Sequence, residues 1–213
     1  MSDEPFLLLL LSALGGYITW QWWTDLQAGR ATGRPAPGAL PGATTAPASA
    51  CLIAAAGALV ILALETWGEI HLGISEEQSN ITLLFGLYSL TAAIIEEIIF
   101  RGYIVVTGRG KAVQWLAALA ASVVFAVLHP FLWDFETGDS LLAVGDWSWT
   151  WQLTLKGWFS TGVVFLSSLW FYTVRFAGFN PRGSLLPCFA AHGAKNLGVV
   201  VIKAAQGFVS GVF

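Results

Sequence analysis

The sequence predicts an all-α fold, a polytopic membrane bundle of about six transmembrane helices, on three observations. Hydrophobic residues make up 56% of the chain and charged residues only 11%, whereas a soluble domain carries roughly 25% charged residues. Six apolar runs are long enough to cross a bilayer. The charges between those runs are segregated by sign from one loop to the next. The chain has room for one helical bundle and none for a soluble domain.

The first run, Phe6 to Trp23, follows the acidic start Ser2-Asp3-Glu4-Pro5. A secretory leader starts basic, so this run reads as a retained span. Trp20, Trp22 and Trp23 close it at headgroup depth, where an indole is half buried and its N–H is wet. The loop from Thr24 to Pro47 is rich in Ala, Gly and Pro and reads as a flexible linker with no fold of its own. A second run, Ala48 to Leu64, leads to an acidic loop with Glu69, Glu76 and Glu77, in which His71 reads as solvated.

The third run, Ile81 to Val106, ends in a short turn holding Arg109 and Lys111 around two glycines. The fourth, Val113 to Phe131, precedes a loop with Asp134, Glu136, Asp139 and Asp146, around which Trp133, Trp147, Trp149 and Trp151 cluster as interfacial anchors. The fifth and sixth runs, Trp151 to Phe176 and Ser184 to Val212, are joined by a loop with Arg182. Lys156 and Lys203 lie near outer ends of spans and are expected to snorkel. Gly86, Gly102, Gly162, Gly193 and Gly198 suit close helix packing in lipid.

Basic residues in short loops mark the cytoplasmic side. Arg30, Arg34, Arg109, Lys111, Arg175 and Arg182 all fall at one side of a six-span arrangement, so both termini are expected outside the cytoplasm. Residues 1–80 read as two N-terminal transmembrane helices and a linker, ahead of a second part formed by residues 81–213. No basic patch with interleaved aromatics suggests nucleic acid. Cys51 and Cys188 both fall in apolar runs and argue against a disulfide framework or a Cys-rich zinc site.

Ionisable residues at membrane depth are costly and read as functional. Without the snorkelling lysines, the polar set within the spans is Glu96, Glu97, Arg101, His129, His192, Lys195 and Asn196. Glu97 and Arg101 are i, i+4 and suit an ion pair, while Glu96 points about 100° away and is the freer carboxylate. Phe125 and His129 share a face of the fourth run, as His192 and Asn196 do on the sixth. Counting helical rise from the basic turn puts Glu96 about 20 Å away and His129 about 30 Å away.

A carboxylate with a histidine can hold and deprotonate a water. A second histidine and an asparagine amide can donate to an oxyanion. Together they suit hydrolysis of a peptide bond within the bilayer. A zinc protease is the nearest rival, because two His and two Glu could ligate metal. The chain lacks His-Glu-x-x-His, however, as well as the Gly-x-Ser-Gly and Gly-x-Gly-Asp patterns of other intramembrane proteases. Proton-coupled transport, or a membrane immunity protein that binds peptide without cutting it, would also use buried polar groups.

The order Glu96-Glu97-x-x-x-Arg101, Phe125-x-x-x-His129 and His192-x-x-x-Asn196 on separate apolar helices resembles the CPBP family. These are the type II CAAX prenyl endopeptidases and their bacterial and archaeal relatives, also called Abi-domain proteins. Phe100-Arg101-Gly102 matches as well, and the resemblance runs from about Leu84 to the C-terminus. It implies an intramembrane glutamic endopeptidase with no metal or cofactor. By the same resemblance Glu96 and His129 would activate water, His192 and Asn196 would form the oxyanion hole, and Glu97, Arg101 and Phe125 would support them. The implied partners are a membrane-associated peptide or protein substrate and the lipid bilayer. The short loops suggest a prokaryotic inner membrane.

Overall fold

A computed structural model describes residues 5–32, 35–136 and 147–212. Arg34, Asp139, Asp146 and the acidic start lie outside the described residues. Six long helices form in the order expected: α1 (Pro5–Thr32), α2 (Ala48–Leu72), α3 (Leu83–Glu97), α4 (Lys111–Leu128), α5 (Leu155–Phe176) and α6 (Leu186–Gln206). A π-helical segment, Ile98–Tyr103, extends α3. Of the six helices, α1 to α4 are long and apolar enough to cross a membrane, α3 together with its π-helical extension. α5 and α6 have the length, with 22 and 21 residues, and they carry much of the polar interior.

The surface is inverted relative to a soluble domain. Phe6 is 78% exposed and Leu52 70%, whereas Glu97 and Arg101 are fully buried. Apolar side chains facing out around buried charges are what a lipid solvent selects, since hydrocarbon gives charges nothing to bond.

α6 packs against both α2 and α3, α1 lies along α3, and α4 lies along α5. The connections alternate between two ends. At the basic end, the stretch from residue 35 to Pro47 is an ordered strap, contrary to the flexible linker expected from its composition. Leu40 N donates to Asp25 Oδ2 at 2.9 Å, Trp22 Nε1 to Pro41 O at 3.0 Å, and Leu185 N to Gly42 O at 3.0 Å. Ala43 is buried in the core with Trp22 and Leu185. Ala, Gly and Pro say little about tertiary contacts, and here the backbone makes them.

At the opposite end, the acidic loop opens with a two-stranded antiparallel hairpin that the sequence reading left as loop. β1 (Trp133–Glu136) pairs with β2 (Ser148–Trp151), Trp133 opposite Trp151. Alternating aromatic and polar residues favour such a ribbon, and the Trp133 and Trp149 rings stack at 4.4 Å. At this end, too, residues after α6 pair with the entry to α3: Ile81 N donates to Phe208 O, Leu83 N to Gly211 O and Leu84 N to Val212 O. These bonds satisfy N–H groups that no helical turn would serve. Lys156 and Lys203 do not snorkel here: Lys156 pairs with Glu69, and Lys203 Nζ donates to Ser79 O at 2.6 Å.

Candidate active site

The site is built around the C-terminal end of α3. There the i→i+4 ladder gives way to a wider turn, with Ile104 N donating to Ile99 O at 2.9 Å. Such wide turns are rare and need help from outside the helix. α5 supplies it. The Tyr172 hydroxyl donates to Phe100 O at 2.7 Å, and Arg175 Nε donates to Arg101 O at 2.8 Å. Gly102 follows Arg101 because the strap passes close by: a Cβ there would lie 2.9 Å from Pro41 Cβ.

Arg101 is enclosed by aromatic faces. Its guanidinium carbon lies 4.6 Å from the ring centre of Phe125, 4.9 Å from Tyr172 and 5.1 Å from Phe171. Nη1 donates to Glu97 Oε1 at 3.1 Å, while Nη2 donates to Ser168 Oγ at 2.6 Å and Ser168 O at 3.2 Å. The Ser168 hydroxyl in turn donates to Ser122 Oγ at 2.9 Å. A charge at this depth persists only when paired, and α3, α4 and α5 all contribute to the pairing.

Glu97 faces a second helix with the same oxygen. His192 Nδ1 lies 2.8 Å from Glu97 Oε1. An ionised carboxylate only accepts, so Nδ1 carries the hydrogen and the neutral ring presents Nε2 as its acceptor. That Nε2 is 3.8 Å from Glu96 Oε2. His192 therefore stands between the two adjacent glutamates, with its ring stacked on Phe171 at 4.8 Å. Glu96 keeps 32% of its side chain exposed where Glu97 keeps none. One carboxylate is held and the other is reachable.

His129 is the first residue past α4. Its Nδ1 lies 2.8 Å from Phe125 O, and a carbonyl only accepts, so the neutral ring again presents Nε2 as its acceptor. Phe125 sits 4.8 Å from the His129 ring and 6.2 Å from the His192 ring, between the two. His129 and His192 thus flank one phenyl ring, and His192 in turn reaches Glu96. The depth count from the basic turn takes the chain as helical up to it. Residues 104–110 are not helical, and extended backbone covers about 3.3 Å per residue against 1.5 Å in a helix. Gly108 and Gly110 turn this stretch with φ of 74° and 88°, conformations open to glycine.

Asn196, one turn beyond His192, donates from Nδ2 to Ser89 O on α3 at 3.0 Å. Lys195 meets Glu65 of α2 at 2.8 Å. Sequence reasoning passed over Ser122, Ser168, Ser89 and Glu65, all partners from other helices that no spacing rule connects to the motifs. Among the described residues, no three of His, Cys, Asp and Glu are grouped to hold a metal ion.

Residues 78–198 match the family model described as Type II CAAX prenyl endopeptidase Rce1-like. The chain belongs to this family. The match runs from before α3 into α6 and takes in every residue of the site from Glu96 to Asn196, leaving α1, the strap and α2 outside. No curated protein and no solved structure gives a match. As an Rce1-like chain it is an integral membrane protein and a protease of the CAAX type, acting on a membrane-associated substrate.

Proposed function

We propose that this protein is an intramembrane glutamic endopeptidase in which Glu96 and His129 activate the water that cleaves a membrane-associated peptide. The observation that carries the reading is His192, held by Glu97 at Nδ1 and turned with Nε2 toward Glu96. That arrangement leaves Glu96 the accessible carboxylate of the pair, beside an imidazole of fixed tautomer.

In the proposed reaction, water held between Glu96 and His129 gives its proton to the Glu96 carboxylate as its oxygen bonds to the scissile carbonyl carbon. The carbonyl π electrons move onto oxygen, and that oxyanion accepts from Asn196 Nδ2 and from Nε2–H of His192 in its imidazolium form, which takes its second proton from solvent and keeps both through the cycle. Asn196 has one amide hydrogen for this, since the other serves Ser89 O. The tetrahedral intermediate collapses, the C–N bond breaks, and the Glu96 carboxylic acid protonates the leaving amine. Glu97, Arg101 and Phe125 fix His192 and take no proton. α1 and α2 buttress a catalytic core of residues 81–213, with the basic end of the bundle cytoplasmic, both termini outside and the chain in a prokaryotic inner membrane.

The experiment is cleavage of a membrane-anchored peptide library, with and without a prenylated cysteine, by the purified chain and by Glu96→Ala and His192→Ala. Loss of cleavage in both variants, with chelator having no effect, is the expected result. Cleavage surviving both substitutions overturns the assignment, and loss to chelator alone makes the enzyme a metalloprotease. Proton flux in liposomes without any cleavage assigns the site to transport.

A further inference from the structure

The residues that follow α4 decide how His129 is held. Pro130 has no N–H to continue the helix and pushes the residue before it out of the helical region. His129 accordingly has an extended backbone, with φ of −78° and ψ of 124°, and α4 stops at Leu128. A helix that stops leaves its last four carbonyls without helical partners. His129 serves two of them here: its backbone N–H donates to Ala126 O at 3.3 Å and its Nδ1 to Phe125 O at 2.8 Å. A third, Val127 O, accepts from Trp133 Nε1 at 2.7 Å. The indole thus closes the same terminal turn whose carbonyl orients the imidazole.

Trp133 opens β1, and β2 holds it in place. Its ring stacks on Trp149 with centres 4.4 Å apart, and Gln152 N donates to Leu132 O at 2.8 Å. From the other side α5 closes on the connecting chain, where a Cβ on Gly157 would fall 2.3 Å from Phe131 O. Interfacial anchoring accounts for Trp149 and Trp151, which are 52% and 63% exposed and whose indoles have no protein acceptor among the described residues. It does not account for Trp133, which is half-buried and commits its N–H to a helix carbonyl rather than to water. We propose that Trp133 is a positioning residue for His129, and that the hairpin is the clamp through which it acts. Trp133 touches no reacting atom; it fixes the turn between Val127 and β1, and with it the direction of His129 Nε2. The inference rests on the proteolytic reading for the use of His129 in cleavage, and adds to it the part of the fold that holds the ring.

The donor and the ring can be separated. Trp133→Phe keeps an aromatic face for Trp149 and removes the N–H. Trp151→Phe, at the position opposite Trp133 in the hairpin register, leaves the bond to Val127 O in place and serves as the control. With a membrane-anchored peptide as substrate, Trp133→Phe is expected to lower kcat by about 10- to 100-fold with KM within about twofold, the scale of misplacing a catalytic group by about 1 Å. Trp151→Phe is expected to leave both unchanged. The ring nitrogens of isotope-labelled histidine give a second measurement by NMR. The chain has three histidines, so a His71→Asn background leaves His129 and His192, which comparison with His192→Ala tells apart. His129 is expected as the single Nδ1–H tautomer in the parent and in Trp151→Phe, and as an exchanging mixture of tautomers in Trp133→Phe.

An unchanged kcat in Trp133→Phe overturns the proposal, and so does a fall in kcat that leaves the His129 tautomer intact or that Trp151→Phe reproduces. If Trp133→Phe does not fold, Trp149→Leu decides, because it keeps the Trp133 N–H and removes the ring stacked on it. A folded Trp149→Leu chain with mixed tautomers supports the clamp, and an unfolded one or one with the parental tautomer overturns it. The tautomer does not depend on catalysis. Mixed tautomers in Trp133→Phe, where the parent cleaves nothing, would sink the proteolytic reading and leave Trp133 as the residue that holds His129. Cleavage by Trp133→Phe with parental kcat and tautomer would overturn this inference and leave that reading standing.

Discussion

A single oxygen, Glu97 Oε1, accepts from His192 Nδ1 at 2.8 Å while it also pairs with Arg101 at 3.1 Å. Glu97 therefore joins α6 to α3 and neutralises Arg101 at the same time. Glu96, its neighbour in sequence, has neither duty and faces Nε2 of the same imidazole. Helical geometry puts consecutive residues on different faces, and the two glutamates have correspondingly different consequences when lost.

Removing Glu97 is a stability experiment. Glu97→Ala leaves Arg101 fully buried without its counter-charge, a loss of about 3–5 kcal/mol where one member of a buried pair is deleted. Thermal unfolding in detergent is expected to shift sharply downward. Glu96→Ala is expected to unfold close to the parent and to lose cleavage by about 100-fold or more, the scale of general acid–base catalysis. Equal melting losses in both variants would contradict this division.

Arg101 recognises two partners at once through its fork, which a lysine lacks. Arg101→Lys is expected to destabilise the protein even though the charge is kept. Ser168→Ala removes the hydroxyl between Arg101 and Ser122 and is expected to cost about 1–3 kcal/mol. In a double-mutant cycle the Ser168→Ala effect should shrink once Arg101 is Lys. Additive losses would show that the two do not share a network.

Phe125 lies between the imidazoles of His129 and His192 and under the guanidinium of Arg101. Phe125→Ala opens a cavity among them, with a cost of about 3–5 kcal/mol. Cleavage is expected to fall along with the melting temperature because both rings lose their packing. Phe125→Leu, which fills part of the space, should recover more stability than activity; full recovery of activity would show that the ring does not orient the histidines.

Away from the site, α2 and α5 meet where Gly57 faces Trp170. A Cβ on Gly57 would fall 2.2 Å from the indole, which also donates from Nε1 to Ala54 O at 2.9 Å. Gly57→Ala is expected to cost about 1–3 kcal/mol by overpacking, read as a lower melting temperature. Combining it with Trp170→Leu should recover part of that loss, and a double variant worse than the sum of the two would refute the steric account.

The helices were legible because lipid demands long apolar runs, and the motif residues because charge inside those runs is rare. The Glu97–Arg101 spacing was local and readable. The Glu97–His192 contact spans 95 residues and was not. The same holds for Ser168 beneath Arg101 and for Asn196 against Ser89 O, both contacts between helices. The hairpin left a trace in the alternation Trp133-Asp134-Phe135-Glu136, but interfacial tryptophans gave a sufficient reading of those aromatics. The strap left none, because its contacts are mostly made by backbone groups that every sequence possesses.

The π-helical segment Ile98–Tyr103 closes its turn around one residue more than an α-turn does. It thereby changes the angular phase between the residues before it and those after it. Shortening it by one residue would yield a better helix by local standards, yet it would rotate the downstream chain by about 100°. Glu97 and Arg101 would no longer meet as they do, and the Tyr172 and Arg175 donors on α5 would face the wrong carbonyls. The number of residues in this stretch thus specifies the geometry of the site as much as their identity does.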